Sequence, residues 1–156
     1  MHEHTAGVRV FLTNATSRFE APDGSTRQGV RRAGDILWSE KVEHANRNIG
    51  TTDIEILELD FKGLPDRRAK APAATSPPDP FESVVLENEF VRVLRLLLPR
   101  GAKTSTHTHP ASVVISMSGE GSDRKGIVSW ADAVSHSPEN LSTHPVETLI
   151  VELRRP

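Results

Sequence analysis

The sequence contains neither cysteine nor tyrosine. Without cysteine there are no disulfides and no thiolate metal ligands, and nothing argues for an oxidising compartment. Without tyrosine, a Cys–Tyr cofactor and a tyrosine general acid are both excluded. Aromatic residues make up only 4% and hydrophobic residues 36% of the 156 residues, low for one well-filled core. Such a chain is expected to lean on a metal or a partner subunit for stability. No apolar stretch is long enough to span a membrane, and the N-terminus lacks the basic region and apolar run of a signal peptide. The expected location is the cytoplasm. A net charge of −2 with interspersed signs leaves no footprint for nucleic acid. No glycine-rich phosphate loop and no supported Ser-His-Asp arrangement is found, and helical periodicity of useful length is missing. An almost pure β protein is therefore expected.

What the chain does have is histidine in a pattern. Gly101-Ala-Lys-Thr-Ser-Thr-His107-Thr-His109 leads into the apolar run Val113-Val-Ile. Side chains alternate along a strand, so His107 and His109 project to one side. Two neutral imidazoles side by side form half of a metal site. Gly101 suits the tight turn before that strand, because glycine tolerates positive φ.

The segment also has a twin. Gly34, Trp38, His44 and Asn48 recur 92 positions later as Gly126, Trp130, His136 and Asn140. Upstream, His2-Glu-His4-Thr-Ala-Gly-Val8 mirrors His107-Thr-His109-Pro-Ala-Ser-Val113. An internal repeat of this kind marks two copies of one structural unit.

The first stretch resembles the first motif of the cupin family, Gly-x5-His-x-His-x3/4-Glu-x6-Gly, through Gly101, His107 and His109, with Gly119 one residue from the final glycine. Gly126 to Asn140 resembles the second cupin motif through His136 and Asn140, three residues apart as that motif requires. The resemblance implies an all-β bicupin of two jelly-roll (double-stranded β-helix) units. It also implies two sets of metal ligands: His107, His109 and His136 in one, His2, His4 and His44 in the other. Six of the seven histidines are thereby used, and only His144 is left over. The alternative is that these histidines are remnants in a metal-free barrel, hydrogen-bonded to water or backbone.

The motif's glutamate is missing. With three-residue spacing its place falls to Val8 and Val113, which are expected to line the pockets together with Trp38 and Trp130. A strand tryptophan, though, more often fills core than lines a ligand pocket. Loss of the carboxylate leaves a neutral three-histidine set, as in cupin-like iron dioxygenases. Glu40 and Asp132 correspond across the repeat and are expected in solvated turns, and Asn48 and Asn140 are expected to hold the local turn.

Taken in order, residues 1–63 form repeat 1, with a hairpin turning at Pro22-Asp-Gly-Ser25. Residues 64–80, with five prolines, read as a linker. Residues 81–156 form repeat 2, opening with two strands between Phe81 and Pro99 that repeat 1 does not have. Repeat 2 in turn lacks the hairpin, since sixteen residues separate His109 from Gly126 against twenty-nine between His4 and Gly34. Either a strand is borrowed from elsewhere, or the polypeptide begins upstream of Met1. Exposed edges of this kind predict a homodimer.

The functional expectation is a metal-binding cupin using a divalent transition metal (Fe, Zn, Mn or Ni) and a small-molecule ligand. Its sharpest form is a three-histidine iron dioxygenase acting on a small organic acid or chelating substrate. The rival is a non-catalytic cupin that binds a small molecule or serves a structural role.

Overall fold

The computed structural model describes residues 1–63, 79–119 and 125–154. Among them there are fourteen β-strands and no helix, hence no helix long and apolar enough to cross a membrane. The chain divides into two compact units, Met1–Arg68 and Ala69–Pro156. Most of the proline-rich segment expected as a linker, residues 64–78, lies outside the described residues.

The first unit holds β1 (His2–His4), β2 (Gly7–Phe11), β3 (Ala15–Glu20), β4 (Thr26–Arg31), β5 (Ile36–Ser39), β6 (Val42–Asn48) and β7 (Ile56–Asp60). They form two antiparallel sheets, ordered β1-β6-β3-β4 and β5-β2-β7. β3 and β4 are the expected hairpin, with Gly24 at φ 79° in its turn. Glycine alone among residues takes that conformation without strain.

The second unit holds β8 (Glu82–Glu87), β9 (Val91–Leu98), β10 (His107–His109), β11 (Ser112–Ser116), β12 (Val128–Ala131), β13 (Val134–His136) and β14 (Val146–Leu153). Its sheets are β12-β11-β14-β9-β8 and β10-β13, again antiparallel throughout. The repeat is visible in the pairing. His2 faces His44 across β1 and β6, and His107 faces His136 across β10 and β13. The core of this unit runs along β9, β11 and β14, where Val91, Val93, Leu94, Ile115, Leu149 and Val151 are fully buried.

The two His-x-His strands are short, and that corrects one expectation. β1 stops at His4 and β2 starts at Gly7 in a different sheet; β10 stops at His109 and β11 starts at Ser112 in a different sheet. The break resets the alternation, and a one-residue slip moves a whole set of side chains to the other face. Arg9 and Phe11, rather than Val8 and Val10, turn towards the histidines of the first unit. Ser112 and Val114, rather than Val113, do so in the second. Val8 is fully buried on the opposite face, opposite Trp38. Trp38 packs against Phe61, with ring centroids 5.7 Å apart. Trp130 pairs with Val113, is 56% exposed, and donates its indole N–H to Asp132 at 3.0 Å. None of Val8, Val113, Trp38 and Trp130 lines the cavity beside its histidines.

Candidate metal centre

In each unit the three expected histidines converge. His2, His4 and His44 have ring centroids 4.7, 4.8 and 5.2 Å apart. His107, His109 and His136 have theirs at 4.8, 4.9 and 5.2 Å. One nitrogen from each ring lies within 4.8 Å of the others in both groups, a spacing that could hold one metal ion.

In the second group His107 and His109 are buried and aimed, and His136 is half-buried. His107 Nδ1 donates to the Ser105 carbonyl at 2.8 Å, and His109 Nδ1 donates to Glu152 at 2.8 Å. With Nδ1 carrying the hydrogen, Nε2 is the ligating atom in the neutral ring, the arrangement seen around protein-bound metals. The Nε2 atoms of His107, His109 and His136 are buried and make no hydrogen bond. Buried polar nitrogens without partners are costly. A cation at their centre would satisfy all three.

Beside them lies a residue the sequence reading missed. Glu82, on β8, has a side chain with 0% exposure, and neither carboxylate oxygen makes a hydrogen bond. Its Oε1 stands 3.3 Å from His109 Nε2 and 3.5 Å from His107 Nε2. Glu82 pairs across with Leu96, which lines the cavity that also touches His109 and His136. The one local signal was its alternation with Val84 and Leu86, which puts a lone carboxylate on an apolar strand face. The approach to β8 is fixed by Asp79, which accepts from the Phe81 N–H at 3.0 Å and from the N–H and hydroxyl of Ser105 at 2.9 and 2.7 Å.

These carboxylates set the protonation of the metal-free site. Glu152 and then Glu82 hold the His109 proton, against the effect of burial, and raise its pKa to about 9. His136 is pushed the other way, first by burial and then by the charges of His107 and His109. An incoming ion would find His136 ready and would have to displace a proton from His109.

The first group is more open. His2 is exposed and His4 and His44 are half-buried. His4 Nδ1 contacts Glu58 at 3.1 Å, and burial followed by the charges of His2 and His4 lowers the His44 pKa. The group borders a cavity of about 350 Å³ enclosed by strands of both sheets, including Phe11, Phe19, Arg27, Leu37 and Ile56. The β3–β4 hairpin supplies Phe19, Arg27, Gly29 and Arg31 to its wall. The second unit has no such hairpin among its described residues, and its cavity is about 190 Å³. Arg9, buried, pairs with Glu58 at 3.3 Å and Asp60 at 2.9 Å. Counted with four-residue spacing, the position of the motif's glutamate is Arg9 in this unit and Val114 in the other.

Solved structures share the fold. YhhW from Escherichia coli aligns over 99% of this chain and 75% of its own, with a TM-score of 0.63 and 15% identity. The Lactobacillus farciminis oxalate decarboxylase, solved as a formate complex, aligns over 98% of this chain and 72% of its own, with a TM-score of 0.59 and 13% identity. The fold is that of the cupins. No protein-family model and no curated sequence matches the chain. At these identities the likeness speaks for the cupin fold alone, so the chemistry has to be argued from the chain's own side chains.

Proposed function

We propose that the chain is a small bicupin that binds divalent transition metal through its histidine groups, with the first unit as its reactive centre. The observation that carries this reading is the cavity of about 350 Å³ beside His2, His4 and His44, lined by Arg9, Arg27 and Arg31. Three neutral imidazoles leave several coordination positions for a ligand. Arg9 is already paired with Glu58 and Asp60, so Arg27 and Arg31 are the ones that favour an anion, and a guanidinium matches a carboxylate in two parallel hydrogen bonds. The fitting substrate is a small organic acid able to chelate, and the fitting activity is that of a three-histidine iron dioxygenase. Iron, when bound, would supply the oxygen chemistry. The chain's own part is to orient the acid through Arg27, whose guanidinium sits 4.8 Å over the Phe19 ring, and to shield it with Phe11, Leu37 and Ile56.

A second reading, a non-catalytic binder, is favoured by one observation. Among the described residues the one carboxylate lining this cavity, Glu58, is engaged by His4 and Arg9 and is poorly placed to move a proton for a substrate. Iron-loaded protein incubated with a panel of small mono-, di- and keto-acids separates the two. Oxygen uptake that depends on both iron and the acid, and falls in Arg27→Ala, supports the enzyme. Acid binding that Arg27→Ala weakens, without oxygen uptake by the parent protein, supports the binder.

A further inference from the structure

The second unit does have a carboxylate for its histidines, but from an unexpected strand. We propose that Glu82, on β8, is the fourth ligand of the ion held by His107, His109 and His136. The proposal rests on the reading of those histidines as metal ligands. It adds that the family motif's lost glutamate has been replaced from elsewhere in the fold, and that the resulting site is closed.

The convergence of the three histidines, with Glu82 beside two of them, carries the inference. The Nε2 atoms of the three histidines and both oxygens of Glu82 are buried and without hydrogen bonds. For bonds of about 2.1 Å to nitrogen and oxygen, adjacent ligand atoms in a tetrahedral shell sit about 3.4 Å apart. The separations from Glu82 Oε1 to His109 and His107 Nε2, 3.3 and 3.5 Å, fall at that edge length. A carboxylate with 0% exposure is expensive unless it meets a cation, whether protonated His109 at 3.3 Å or a bound ion. At four-residue spacing the motif's glutamate position is Val114, which offers no oxygen to the cavity beside His109 and His136.

The two units then differ in kind. A structural site fills its coordination shell with protein atoms, whereas a catalytic one keeps a position open. Unit 2, with three histidines and Glu82 and a small apolar cavity, is of the first sort. Unit 1 has no counterpart of β8 among its described strands and a larger cavity, and is of the second. The geometry assigns a permanent, stabilising ion to the second unit and an exchangeable one to the first.

The test uses the full chain carrying His2→Ala and His44→Ala, which removes two of the three ligands of the first unit. Titration with Co²⁺, followed by visible absorption, should show one ion per chain. Glu82→Gln in that background should weaken binding at least about tenfold, since even residues that only support ligands contribute 10–100-fold. Infrared difference spectra on adding Zn²⁺ should show one carboxylate stretch shifting in the parent and none in the Glu82→Gln variant. If Glu82→Gln does not fold, the parent's infrared spectrum decides alone, and a spectrum without a shifted carboxylate band overturns the proposal. If His109→Ala abolishes binding but Glu82→Gln stays within about twofold of the parent, Glu82 is merely an ion-pair partner; the metal reading stands and this inference fails. If the parent takes up no ion at all, the metal reading itself fails.

Discussion

A single position shows how much depends on which way a side chain points. Val8, at three-residue spacing, and Val114, at four-residue spacing, both stand where a cupin motif invites a carboxylate, yet one faces away from its histidines and the other towards them. Val8→Glu places a charge where exposure is 0%, on the face away from the histidines, so it should cost about 3 kcal/mol or more whether or not metal is supplied. Val114→Glu puts the same group within the cavity that touches His109 and His136, so added Zn²⁺ should recover much of its cost. Thermal midpoints of both variants, with Zn²⁺ and with chelator, read the difference; equal behaviour would mean the assigned faces are wrong. His109→Ala should empty the second unit of metal, while His144→Ala should leave its content unchanged. Metal analysis of the two variants checks this, and a matching loss in His144→Ala would discredit the ligand set.

At the scale of elements, the two second-motif turns look alike in sequence and differ in what they hold. Asn140 is 4% exposed; its amide donates to the Leu98 and His144 carbonyls at 2.9 and 2.7 Å and accepts from the Ser142 N–H and hydroxyl at 2.9 and 2.6 Å. Asn48 makes two bonds, to Thr52 and Gly50, in an exposed turn. Asn140→Ala should therefore cost about 2–4 kcal/mol and Asn48→Ala about 1 kcal/mol or less, by the cost of leaving buried groups unpaired. Denaturant unfolding measures both, and equal losses would mean that the buried network carries no weight.

The same contrast explains what was legible in the sequence. The repeat, the six histidines and the hairpin at Gly24 were, because each is a local pattern at fixed spacing. The faces of Val8, Val113, Trp38 and Trp130 were not, because the breaks at Thr5-Ala6 and Pro110-Ala111 hand the chain from one sheet to another and reset its alternation. Glu82 was hidden by distance: it meets His107 and His109 only once β8 has paired with β9, and no motif spacing links them.

For the whole molecule, the sign of the pH response should depend on metal. In the metal-free protein the folded-state pKa of His109 is raised from 6.5 to about 9 by Glu152 and Glu82. The stability it confers is fully present below about pH 6.5 and is lost as pH rises through about 9. With metal bound that proton is gone, so this alkaline loss should disappear, and acid, which protonates the imidazoles, should become the destabilising direction. Midpoints measured near neutrality and at about pH 9.5, with chelator and with Zn²⁺, should diverge in this way. Parallel curves would contradict it. Filling the second unit near neutral pH should also release about one proton from His109, readable in a weakly buffered titration.

The bonds from Asp79 to Ser105 set a clock. They join the arm that carries Glu82 to the arm that carries His107. An ion gripped by both arms can leave only when they part, so its residence time follows the opening of this latch. Asp79→Ala keeps every proposed ligand but removes the charged half of the latch. A bond to a charged group contributes about 1.5–3 kcal/mol, and each 1.4 kcal/mol is tenfold in rate, so Zn²⁺ should pass to a chelator about tenfold faster or more. A variant that yields its ion as slowly as the parent would mean that the arms are held elsewhere.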